Sequence, residues 1–154
     1  ESLNMDENCI LVIRGAGPIG WPGSAEVVNM QPSDKLIKQG TTELPCIGDG
    51  RQSGTSESPS ILNASPESVV GGGLAFLQTG DRVLLDLNKS EMNALVPEEE
   101  WETRKKNWVA PEIISHTPWE EIYRSHVGQL AEGGCLEMAT KYQKVRETLS
   151  RDNH

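Results

Sequence analysis

The sequence predicts an α+β domain on three observations: two apolar strands that each run into a glycine loop, a later strand with alternating apolar positions, and two helix signatures near the C-terminus. At 154 residues the chain suits one domain with a single core. Hydrophobic residues make up 36% and aromatics 5%, while 15 glycines and 9 prolines imply many turns, so the core is expected to be modest.

The first strand is Cys9-Ile10-Leu11-Val12-Ile13, a short run with β-branched residues stopped by Gly15. It feeds the loop Gly15 to Gly23, after which Ser24-Ala25-Glu26 is expected to open a short helix with Ser24 as its cap. Ser33 should cap a second short helix, ended by Gly40. Leu44 to Ile47 reads as another buried strand and runs into Gly48-Asp49-Gly50-Arg51-Gln52-Ser53-Gly54-Thr55-Ser56. Pro66-Glu67-Ser68 suits a first helical turn, and Thr79-Gly80-Asp81 is a turn before a strand in which Val83, Leu85 and Leu87 alternate.

From Pro97 the character changes. Glu98, Glu99 and Glu100 precede Arg104, Lys105 and Lys106, the charge order that a helix dipole favours at its two ends. Thr117-Pro118-Trp119-Glu120 is a capping box with proline at the first helical position, and the helix is expected to reach Ala131. Trp119, Ile122, Tyr123, His126, Val127 and Leu130 then share one stripe that should pack inward, with His126 a core or interface residue. This divides the chain into a glycine-loop part over 1–96, a helical extension over 97–149 and a disordered tail over 150–154.

A net charge of -9 argues against nucleic acid as a partner. No apolar run approaches the ~20 residues that span a bilayer, and the first residues do not read as a signal peptide, so a soluble cytoplasmic protein is expected. The three cysteines, Cys9, Cys46 and Cys135, are widely spaced and suit reduced, mostly buried thiols better than a disulfide or zinc site. Cys46, inside an apolar strand, reads as core.

Gly15-x-Gly17-x-x-Gly20 after a strand matches the dinucleotide fingerprint, but Pro18 lies inside it and Pro22-Gly23 follows where a helix is required. A dinucleotide-binding domain stays open as one alternative. The second loop gathers Asp49, Arg51, Ser53, Thr55 and Ser56 among glycines, a composition that suits either an anion-binding concavity or a solvated turn.

Together the two loops resemble a known family. Gly17-Pro18-Ile19-Gly20-Trp21-Pro22-Gly23-Ser24-Ala25-Glu26 is similar to the G-P-x-G-x-P-G-x-x-E signature of the dihydroxy-acid and phosphogluconate dehydratases. Asp49 to Thr55, followed by Ser65-Pro66-Glu67 and Gly71-Gly72, resembles the family's second C-terminal signature. Gly48 and Asn63 look closest to the sugar-acid branch, and Glu57 departs from the glycine expected after Gly-Thr-Ser.

The resemblance implies a β-barrel-like swivelling domain with flanking helices, apparently truncated at its N-terminus, and dehydration of a sugar acid to a 2-keto-3-deoxy acid. Ser53 would be the base and Thr55 a neighbouring catalytic hydroxyl. Arg14, Asp49, Arg51 and Ser56 would bind substrate, and Glu26 would be a ligand of Mg2+. An iron-sulfur cluster would take its ligands from an N-terminal domain of the same enzyme, so the isolated chain is expected to be inactive. Exposed strand edges would favour a homo-oligomer. A non-catalytic binding module that kept the fold is the other alternative.

Overall fold

A computed structural model describes residues 4–26, 32–51, 58–89 and 91–142. The strands β1 (Leu11–Ile13), β2 (Cys46–Gly48) and β3 (Ser60–Ile61) form one sheet in the order β1-β2-β3, with both pairings parallel. The short helix α1 (Asp34–Lys38) lies between β1 and β2 in the chain. Leu44, Cys46 and Ile47 are buried together with Leu36 of α1, Leu74 and Val127, and this small apolar set is the core. Fully burying a side chain such as Leu44 or Ile47 contributes about 1.5–3 kcal/mol.

Parallel pairing decides where the glycine loops go. Ile13 stands opposite Gly48, so the chain leaves β1 and β2 side by side at the same end of the sheet. The carboxyl ends of parallel strands are where open α/β sheets build their ligand crevices.

A second sheet is the hairpin of β4 (Val83–Asp86) and β5 (Glu91–Ala94), paired antiparallel from Val83 with Ala94 to Asp86 with Glu91. The second member was not foreseen, because Glu91-Met92-Asn93-Ala94 lacks the apolar alternation of a half-buried strand. Helix α2 (Glu98–Asn107) carries its acidic residues in the first turn and its basic residues in the last, as the sequence predicts. It is anchored by Trp101, whose ring meets Phe76 edge-on at 5.6 Å, and by Trp108 just beyond its end, 6.2 Å from the same ring. Arg104 on α2 bonds both oxygens of Asp81 at 2.6 and 3.0 Å and the Phe76 carbonyl at 3.1 Å.

The α+β class holds, whereas the described residues form no closed barrel: their five strands are short and divide between two separate sheets. Three local expectations change as well. Residues 24–26 are not helical, and Ser24 is buried with its hydroxyl turned to the Ala25 carbonyl. Glu67 caps a single 3-10 turn over Ser68–Val70 rather than joining a helix. Helix α3 (Pro118–His126) has the expected cap, with the Glu120 amide donating to Thr117 Oγ1, but it stops at His126. Val127 is extended there and bridges to Leu136, and the Gly128 amide bonds the Cys135 carbonyl. The apolar stripe is only partly buried: Trp119 is 78% exposed and Ile122 is exposed too, while Val127, just past the end of the helix, is buried.

Candidate functional site

The two loops that leave β1 and β2 are joined by a buried carboxylate. Asp49 follows β2 directly, is 0% exposed and accepts the Gly15 and Ala16 amides at 3.0 Å each. The Ser68 amide and hydroxyl complete its shell at 2.8 and 2.6 Å. Burial alone would raise its pKa, but the Ser68 hydroxyl and the three amides outweigh that and hold the carboxyl below the usual carboxylate range. The loops also fit each other sterically: a Cβ on Gly50 would stand 2.7 Å from the Ala16 Cβ, and one on Gly20 would stand 2.6 Å from the Gly15 carbonyl oxygen. Gly15 turns the chain out of β1 with φ +84°, a conformation that favours glycine.

Above this junction lies an open cleft of about 490 Å³. It is lined by the first glycine loop, including Trp21, Pro22 and Ser24, and by Asp49, Gly50 and Arg51. Asn63, held at φ 57°, and the α3 residues Trp119, Glu120 and Tyr123 line it as well. Between two of the lining residues, Arg51 Nη2 donates to the Ser24 carbonyl at 2.6 Å. The segment leading to Glu26 and the segment leading to Ser53 are therefore tied at one cleft, each two residues short of the side chain in question.

The sequence-derived candidates divide as follows. Arg51 and Asp49 line the cleft, although the oxygens of Asp49 are already occupied by four donors, so its effect on a ligand runs through the loop it holds. Arg14 is not brought there: its Nη1 donates to the carbonyls of Leu74, Ala75 and Leu77 at 3.1, 3.3 and 3.0 Å, which draw the guanidinium into a second cleft beside α2. Glu26 is solvent-exposed just beyond Ser24. Ser53, Thr55, Ser56 and Glu57 lie outside the described residues. Trp21, Asn63, Trp119, Glu120 and Tyr123 were not foreseen as lining: Trp119 and Tyr123 read as part of a core stripe, because helical spacing does not distinguish a cleft wall from a core, while Trp21 and Asn63 lie outside helices and were legible only as positions of the family signatures.

Of the three cysteines only Cys46 is buried, against the expectation of mostly buried thiols: Cys9 is half-buried and Cys135 is exposed, and they form no cluster-ligand set. Cys46 is buried within β2, where burial pushes its thiol up and away from the thiolate that iron requires. Among the described residues no group of three or more His, Cys, Asp or Glu side chains is placed to hold a metal ion. A magnesium site is less demanding, since one or two carboxylates plus waters and substrate oxygens suffice, and the exposed Glu26 meets that requirement as a single ligand.

Comparison with known proteins decides the family. Residues 1–135 match the family described as dihydroxy-acid/6-phosphogluconate dehydratase C-terminal. The chain belongs to this dehydratase family. It is 60% identical to the D-xylonate dehydratase of Caulobacter vibrioides over 153 residues, which is 99% of this chain and 26% of that protein. It is 34% identical to the L-arabinonate dehydratase of Rhizobium leguminosarum bv. trifolii over 137 residues, 89% of this chain and 24% of the relative. The dihydroxy-acid dehydratase of Methanococcus aeolicus is also 34% identical, over 135 residues, with 87% and 24% covered. The chain spans about a quarter of the length of these dehydratases. Both glycine loops, with the cleft between them, lie within the family match. No helix among the described residues is long and apolar enough to cross a membrane.

Proposed function

We propose that the chain is the C-terminal part of a cytoplasmic hydro-lyase that converts a sugar acid to its 2-keto-3-deoxy acid. The observation that carries this reading is the single cleft at which the two family loops are tied, through Arg51 and the Ser24 carbonyl. In the reaction a base takes the proton at C2, the C3 hydroxyl leaves as water, and the resulting enol tautomerises to the keto acid. A proton beside a carboxylate is weakly acidic, so the site must both supply a base and stabilise charge on the substrate.

Ser53 is assigned as the base, Thr55 as the hydroxyl that orients it, and Ser56 as a substrate contact; each follows Arg51 closely on the second loop. Arg51 provides positive charge in the cleft lining for the substrate carboxylate. Asp49 acts by holding the loops in register, and Arg14 by bracing the turn Gly73–Ala75. Glu26 would hold Mg2+, which when bound polarises substrate oxygens. The exposed aromatic face of Trp119 and the polar Glu120 suit a polyol chain better than an aliphatic one. Iron-sulfur ligands would come from an N-terminal domain, and no step is assigned to the cluster within this chain. The outer edge of β1 has no strand partner among the described residues, which suits a barrel completed by further strands and a homo-oligomeric enzyme.

The test is turnover by the intact dehydratase against a panel of pentonates, hexonates and branched-chain dihydroxy acids. Keto-acid release is expected to be fastest with a pentonate, and none is expected from the 154-residue chain alone. Preference for the branched-chain substrates would overturn the substrate class, and dehydration by the isolated chain would overturn the need for a second domain.

A further inference from the structure

A second buried carboxylate, apart from the proposed chemistry, grips the first glycine loop. Glu67 is 0% exposed. Its Oε1 accepts the Ile19 amide at 2.9 Å, and its Oε2 accepts the Gly20 amide at 2.9 Å. Gln129, beyond α3, closes a ring with it: Gln129 Nε2 donates to Glu67 Oε1 at 3.0 Å, and the Glu67 amide donates to Gln129 Oε1 at 2.8 Å. From α3 itself, Arg124 Nε donates to the Ile19 carbonyl at 2.9 Å, while its Nη1 is steadied by Ser115 Oγ at 2.6 Å and the Ile114 carbonyl at 3.1 Å.

The peptide joining Ile19 to Gly20 is thus held at both edges, its N–H by Glu67 and its C=O by Arg124. Only three residues separate Gly20 from Ser24, which meets Arg51 at the cleft, and Glu26 follows. A carboxylate bonded solely to neutral donors is a costly way to fill a core, since two amides must be matched at fixed geometry. Its effect is to fix one peptide plane of a loop that has no regular secondary structure of its own.

We propose that Glu67, Gln129 and Arg124 are positioning residues through which the C-terminal extension sets the first glycine loop, and with it the affinity of Glu26 for a divalent cation. The inference rests on the reading of Glu26 as a metal ligand. It assigns the helical extension a task in the site besides lining the cleft.

The experiment uses the intact dehydratase. Mg2+ affinity is measured by titration calorimetry, and amide exchange is followed at Ile19 and Gly20, for the parent protein, Gln129→Leu, Val127→Ala and Glu26→Ala. Gln129→Leu is expected to speed exchange at both amides and to weaken Mg2+ roughly tenfold, the usual scale for a group that orients a metal ligand. Val127→Ala destabilises the same segment without touching Glu67, and its Mg2+ affinity should match the parent's. Equal weakening in both variants would reduce the clamp to general stability and overturn the proposal. Unchanged affinity in Glu26→Ala would instead remove the metal reading, while unchanged exchange at Ile19 and Gly20 in Gln129→Leu would remove the clamp itself.

Discussion

Replacing Ser53 with alanine in the intact dehydratase is expected to lower keto-acid release by about 10³-fold or more, within the range that a positioned base contributes. The substitution deletes one oxygen and leaves the glycines around it unchanged, so sugar-acid binding and the unfolding midpoint should stay close to the parent's. A serine hydroxyl is a poor base in water. It serves only where cations and loop amides lower the cost of its ionised form, and Arg51, two residues before it, brings such a cation to the cleft. Steady-state kinetics with a pentonate separate the outcomes. A fall in kcat at nearly constant KM is expected, and retained turnover would move the base elsewhere.

The second large effect concerns stability. Asp49→Ala leaves the amides of Gly15, Ala16 and Ser68 without an acceptor in a buried place, which costs about 3 kcal/mol or more as a sum over unpaired donors at roughly 1–3 kcal/mol each. Chemical denaturation of the intact enzyme should report that loss, and a change below about 1 kcal/mol would show that water replaces the carboxylate cheaply. The same group gives a pH dependence. Its folded pKa lies below its ordinary value, so its contribution is complete above the normal aspartate range and disappears as the pH falls through the lowered folded value. Asp81 has the same sign, held down first by its hydrogen bonds from Arg104 and opposed by burial. Stability should therefore fall on acidification below about pH 4, and Asp49→Ala should flatten part of that fall.

Much of this was legible in the chain itself. The apolar runs ending in Gly15 and Gly48 marked β1 and β2, the charge order of α2 marked its ends, and Thr117 marked the start of α3, because strand burial, dipole compensation and capping act within a few residues. The match of residues 1–135 to the dehydratase family bears out the resemblance read from the two loops. What the sequence left open was long-range. Nothing in Leu11–Ile13 or Cys46–Gly48 states that the strands pair in parallel, yet that pairing carries both loops to one end of the sheet. Arg14 and Arg51 look equivalent as anion ligands in the sequence, and only the carbonyls of Leu74, Ala75 and Leu77 separate them. Glu67 stood in plain view within Ser65-Pro66-Glu67, but its partner Gln129 lies 62 positions away and carries no local signal.

The most direct measurement is a crystal structure of the intact Ser53→Ala enzyme, in which turnover is expected to be slow enough to trap the ligand, with Mg2+ and a pentonate bound. The account expects the acid in the cleft between Trp21 and Trp119, its carboxylate near Arg51 and the ion on Glu26. A pentonate seated away from that cleft, with Glu26 facing solvent and bound to nothing, would contradict it.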